Sequence, residues 1–121
     1  MKRKKDSVYL RHILDSCQAI ESYTFAIGES DFFSNQMRQD AVLRQIGIVG
    51  EAVKKISVET RNAYPEIRWR DVAGMRDKII HDYFEVDLKI VWLTATQDIP
   101  AIKERLAKVL ESVLAAEQHR N

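Results

Sequence analysis

Val42-Leu43-Arg44-Gln45-Ile46-Gly47-Ile48-Val49-Gly50-Glu51-Ala52-Val53-Lys54-Lys55-Ile56 is the stretch on which the fold turns. Val42, Ile46, Val49, Val53 and Ile56 recur in alternating steps of four and three, which places them on one face of a helix. Such a seam suits antiparallel packing in a helical bundle. The pattern predicts a helix from Ser34 to Thr60. Gly47 and Gly50 lie inside it, each costing about 1 kcal/mol of helix propensity relative to Ala. Their presence predicts a close approach to this backbone, either from another helix of the bundle or across a dimer interface. Glu51 beside them either faces a cleft or is an ordinary solvated carboxylate.

Outward from this seam the same periodicity continues. Toward the N-terminus, Leu10, Ile13, Leu14, Cys17, Ile20 and Thr24 recur three and four apart between Ser7 and Ile27. Asp6 or Ser7 is the expected N-cap and Gly28 the expected stop. Glu29 to Asn35 reads as a connector in which Phe32 and Phe33 cover helix ends. Toward the C-terminus, Arg61 to Arg70 breaks the pattern: Pro65 pushes Tyr64 out of the helical region, and Trp69 is expected to anchor the loop. Asp71 is expected to cap a short turn to Met75, and Asp87 a helix with Leu88, Val91, Trp92 and Ala95 on one stripe. Asp98 and Pro100 predict the start of a last helix lined by Ile102, Leu106, Val109, Val113 and Leu114. No strand pattern or internal repeat is evident. The expected fold is all-α, an up-and-down bundle of four to five helices forming one domain over residues 1–121.

Composition excludes several classes. The chain of 121 residues can bury a substantial core, and 45% apolar with 31% charged residues is the balance of a soluble globular protein. Nineteen Lys and Arg against 18 Asp and Glu leave a net charge of +1, which argues against retention on nucleic acid by bulk electrostatics. A phosphate ligand would need a local cleft. Cys17 is the single cysteine, so neither an intrachain disulfide nor a cysteine-based zinc site is available, and it reads as a small core residue. No apolar run approaches the length of a membrane span. The basic start, Met1 to Asp6, lacks the apolar segment of a signal peptide, so the cytoplasm is the expected location.

The chemistry-bearing stretch is Arg76-Asp77-Lys78-Ile79-Ile80-His81-Asp82-Tyr83. Arg offers a permanent charge on a planar fork that matches phosphate. His gives or takes a proton near neutral pH. Together they are minimal equipment for metal-free chemistry at a phosphodiester. The plain alternative is that Arg76 and Asp77 are surface charges, His81 ends a helix and Tyr83 packs at a rim. On an unbroken helix, Arg76 and Tyr83 would share a stripe while His81 fell about 140° away. So either the helix ends near His81, or a neighbouring subunit supplies the missing group at a two-fold interface.

The run from Tyr64 to Phe84, followed by Val86-Asp87 and Ile90-Val91-Trp92, resembles the HepT-like branch of the HEPN superfamily. The similarity extends to Tyr9-Leu10-Arg11-His12-Ile13-Leu14 and to Gly50-Glu51-Ala52. The branch motif Arg-x4-His-x-Tyr matches at Arg76, His81 and Tyr83, and Asp77 supplies the polar residue after the Arg. Arg68 stands where the family often has Pro. The resemblance implies an all-α homodimer acting as the toxin of a toxin–antitoxin pair. It implies a metal-independent endoribonuclease acting on tRNA or mRNA, without cofactors or metal ligands. Arg76 and His81 would be catalytic and Asp77 supporting. It further implies an MNT-type nucleotidyltransferase partner that attaches AMP to Tyr83. The other reading is a helical adaptor of such a transferase that cleaves nothing. His12 and His119 are read as incidental.

Overall fold

The computed structural model describes residues 4–82 and 85–119, with the backbone alone for His81 and Asp82. Helix α1, Asp6–Thr24, buries Leu10, Ile13, Cys17 and Ile20 completely, with Leu14 half-buried beside them. It ends earlier than Gly28. Thr24 turns its hydroxyl back onto the Ile20 carbonyl, Phe25 is extended, and Ala26 takes a positive φ of 60°. Gly28 instead precedes a short helix α2, Glu29–Phe33, where a connector was expected. Phe32 of α2 is fully buried with its ring 5.3 Å from that of Trp92, whereas Phe33 stays largely exposed.

Helix α3, Gln36–Lys55, carries the seam as read: Val42, Ile46, Val49 and Val53 are buried, and Ile56 just beyond its end is buried too. Asn35 caps it by accepting from the Arg38 N–H at 3.1 Å. The expected continuation to Thr60 does not occur. The chain is extended at Ile56 and restarts as α4, Val58–Ala63, with Ser57 as N-cap. The break has a clear cause in Asp6, which is buried at the start of α1. Its carboxylate accepts from the Ser57 N–H at 3.0 Å and from the hydroxyls of Ser57 and Thr60, each at 2.6 Å. Burial of a carboxylate is tolerable because each oxygen is satisfied. Asp6→Ala should therefore cost about 2–3 kcal/mol, the loss expected for charge-assisted bonds to buried partners. Chemical denaturation would read that loss as a lower midpoint at unchanged slope.

Tyr64 is out of helical geometry at φ −127°, as Pro65 requires, and the buried Trp69 donates its indole N–H to the Tyr64 carbonyl at 3.0 Å. Helix α5, Trp69–Ala73, starts two residues before Asp71, which lies in its first turn and pairs with Arg68. Helix α6, Met75–Ile79, follows Gly74 directly. An unforeseen antiparallel pairing comes next, of β1, Ile80–Asp82, with β2, Glu85–Val86.

Asp87 caps α7, Leu88–Leu93, by accepting from the Ile90 N–H, and Val91 and Ala95 are buried. No new helix begins at Asp98. A π turn, Thr94–Asp98, passes straight into α8, Ile99–His119, so that a single helical path runs from Leu88 to His119. Pro100 lies inside this path. Proline offers no N–H and crowds the carbonyl four residues earlier, and the widened turn just before it relieves both conflicts. Leu106, Val109 and Val113 line α8 inside, while Ile102 and Leu114 are half-buried.

The result is all-α apart from one short hairpin, with more and shorter helices than four or five among the described residues. α1 packs along both α3 and α8, and α5 and α6 lie against α3. Lys103 on α8 pairs with Glu21 on α1 at 2.9 Å, and Lys89 on α7 with Glu29 on α2. Burial beneath this layer pushes the Cys17 thiol up to about 12, so Cys17 is an inert core residue. Among the described residues no helix is long and apolar enough to cross a membrane.

Candidate functional site

α3 positions the site because two of its residues are glycine. At Gly50 a Cβ would stand 2.8 Å from the Ala73 carbonyl oxygen, so the bare backbone lets α5 settle directly on α3. At Gly47 a Cβ would stand 3.3 Å from Cδ and 3.7 Å from Nε of Arg76, so the arginine stem lies across the helix there. Both expectations for the glycines are met within one chain. The approach comes from α5 in one case and from a side chain in the other.

Arg76 lies in a shallow groove of about 640 Å³ that runs over α3. Tyr9 and His12 line it from α1, Arg44, Glu51 and Lys55 from α3, and Arg76 from α6. Three cations against one carboxylate supply the local positive charge that the even overall balance withholds. Glu51 does face this cleft, and it also pairs with Lys54 at 3.3 Å on the exposed side. A groove of this kind can hold a phosphodiester backbone: guanidinium and ammonium groups clamp oxygens, and its openness admits a strand.

The other motif residues divide. Asp77 is exposed on the first turn of α6 and does not line the groove. Helix α6 stops at Ile79, so His81 is not carried around a helix away from Arg76. It stands on β1, between the pairs Ile80↔Val86 and Asp82↔Glu85, where the register shifts. The side chain of His81 and the whole of Tyr83 lie outside the described residues. His119 is exposed at the end of α8 and does not line the groove. His12, read from the sequence as incidental, lines the groove. The available signal was its place three residues after Tyr9, on the flank of α1 beside the α3 seam.

A second cavity, of about 330 Å³, is lined by Val72, Met75, Ile90, Ile102 and Leu106 and by the charged residues Arg68, Asp71, Asp98 and Arg105. Lys78 borders it, but neither Arg76 nor Asp77 does. Arg76 lines the groove over α3 instead.

The family model described as Ribonuclease HepT-like matches residues 13–109. The chain belongs to the HepT-like family. It is 45% identical over 111 residues to a protein from Methanocaldococcus jannaschii named "Gamma-glutamylcyclotransferase and putative RNase", covering 92% of this chain and 50% of that one. The chain thus spans about half the length of that relative. It is 42% identical over 101 residues to a Thermococcus cleftensis protein named "Probable ribonuclease HepT", covering 84% and 92% of the two chains. A Caldanaerobacter subterraneus protein named "Putative RNase" is 36% identical over 103 residues, covering 85% and 92%. No solved structure matches.

Proposed function

We propose that this HepT-like chain is a metal-independent endoribonuclease and the toxin of a toxin–antitoxin pair. The observation that carries the reading is the seat of Arg76: the motif arginine lies in a cationic groove with room for a nucleic-acid strand. The ribonuclease names of its relatives point to the same substrate class.

In the reaction, the RNA 2′-oxygen attacks the adjacent phosphorus. The new O2′–P bond forms as the P–O5′ bond breaks, giving a 2′,3′-cyclic phosphate and a free 5′-hydroxyl. Arg76 holds the non-bridging oxygens as negative charge builds on them. His81 moves a proton, and Asp77 supports the motif from the first turn of α6. The chain acts as a cytoplasmic homodimer on tRNA or mRNA, two copies of the motif sharing one cleft. An MNT-type nucleotidyltransferase neutralises it by attaching AMP to Tyr83. Each AMP adds bulk and negative charge where RNA phosphates must lie.

The test is purified protein incubated with RNA in excess EDTA, followed by analysis of product ends. Cyclic phosphate and 5′-hydroxyl ends are expected. RNA left intact with and without divalent ions would favour the non-catalytic adaptor instead.

A further inference from the structure

A hollow of about 550 Å³ at the C-terminal end of α3 shares no lining residue with the groove that holds Arg76. Lys54 lines it from α3, Arg61 and Asn62 from α4, and Arg70 from α5, together with the apolar Val53 and Trp69. Among the described residues no carboxylate lines it. Lys54 pairs with Glu51 at 3.3 Å, but both side chains are exposed and such a pair is weak. Arg61 and Arg70 have no ion-pair partner among the described residues. The Nε of Arg61 is buried and makes no hydrogen bond among them either. A covered donor without an acceptor costs free energy that a bound anion recovers.

Trp69 sets this arrangement. Its buried indole N–H donates to the Arg61 carbonyl at 3.2 Å as well as to the Tyr64 carbonyl, which ties α4 to the start of α5. Arg70 follows Trp69 directly, so one side chain fixes both helices that carry the arginines. Asp6 holds the other end of α4 through Ser57 and Thr60. Helices α5 and α6 cross α3 in the opposite sense: Arg76 lies at Gly47, Ala73 at Gly50, and Arg70 shares the hollow with Lys54. Seven residues separate Gly47 from Lys54, roughly 10 Å of helix rise. Neighbouring phosphates of an extended strand can span that distance.

We propose that the hollow of Lys54, Arg61 and Arg70 is a second phosphate subsite, gripping the RNA backbone beside the phosphodiester held at Arg76. The identity of the ligand rests on the ribonuclease reading above. The subsite contributes affinity rather than chemistry. Guanidinium forks match phosphate oxygens in pairs, and contacts to the backbone carry no base sequence. An acidic protein segment would meet the same cations, but their alignment with Arg76 along α3 favours a strand already seated in the groove.

The test titrates purified protein with two unreactive 2′-O-methyl RNA probes by fluorescence anisotropy. A dinucleotide has a single phosphodiester, for Arg76, whereas an octanucleotide is long enough to reach the hollow. Arg70→Glu, at an exposed residue, and the double variant Arg61→Gln/Arg70→Gln are compared with wild type. Arg105→Gln serves as control, removing one charge from α8, which lines neither feature. In both hollow variants octanucleotide binding should weaken about tenfold, and in the double variant the slope of log K against log salt should shrink by about 1.4. Dinucleotide binding, Tm and the Arg105→Gln titration should stay as in wild type. In cleavage of the longer RNA, KM should rise by about the same factor with kcat unchanged. Absent or unchanged octanucleotide binding, equal losses on both probes, or a loss as large in Arg105→Gln would overturn the subsite. Oligoglutamate binding that disappears in the variants while RNA binding persists would overturn it as well and give the hollow to an acidic protein segment. Because the probes cannot react, these titrations stand whether or not the wild type cleaves. Intact RNA in the cleavage assay removes the ribonuclease reading by itself.

Discussion

Arg76→Ala is expected to slow RNA cleavage by about a thousandfold, with Tm within a degree or so of the parent. The two halves of that expectation come from one observation. The side chain is exposed and lies across Gly47 in the groove, so its removal opens no cavity in the core. What disappears is the planar fork aimed at the oxygens on which charge accumulates. Arg44 and Lys55 line the same groove and remain, so RNA should still bind and the loss should fall on kcat more than on KM. Arg76→Lys should recover only part of the rate, because an ammonium keeps the charge without the two-pronged geometry. Single-turnover cleavage with a parallel binding titration separates these effects. A rate within threefold of wild type for Arg76→Ala would show that the groove is not where the chemistry happens.

Gly50→Ala is the second large effect, and it falls on stability. A Cβ there would sit 2.8 Å from the Ala73 carbonyl oxygen, with the Val72 carbonyl oxygen 3.8 Å away. Both are backbone atoms of α5, which cannot swing aside as a side-chain tip could. The substitution gains about 1 kcal/mol of helix propensity within α3. The overlap outweighs that gain, because α5 must lift off α3 and loosen the contacts of Val72 and Trp69 with the core. A net loss on the order of 2 kcal/mol is expected. For a chain of this size that is a fall in Tm of about 8 °C, measurable by calorimetry. Arg76 follows α5 closely in sequence, so residual cleavage should drop as well. An unchanged Tm would mean that α5 does not rest on α3 in the way described.

The parts of this arrangement that were legible in the sequence are those set by local periodicity or by one residue's backbone demands. The apolar seam of α3 needed only a count of threes and fours, and its five residues are all buried. Gly47 and Gly50 announced a close approach, and Asp87 announced a cap. The errors come from contacts that a helical count does not register. Near Ile56 the local signal is the N-cap Ser57, and Asp6, far away in sequence, reinforces the break by binding Ser57 and Thr60. Pro100 was read by the usual rule for a first turn, and the π turn that admits it inside a helix depends on the packing of Thr94 and Ala95. The strand pairing of Ile80 with Val86 is likewise invisible to a helical count. Of the groove's lining, Arg76 was singled out because it belongs to a recognisable spacing, and His12 was read as incidental because most of the other lining residues stand on other helices.

The groove has a wall on α1, a floor on α3 and its arginine on α6. No fragment running only from Tyr9 to Lys55, and none beginning after α3, contains the whole of it. A chain emerging from the ribosome therefore passes through a long interval in which the bundle is partly built and the groove is incomplete. The groove is completed when Arg76 lies across Gly47 of α3. On the ribonuclease reading proposed above, a nascent chain that stops short of residue 76 would lack the groove on which cleavage depends.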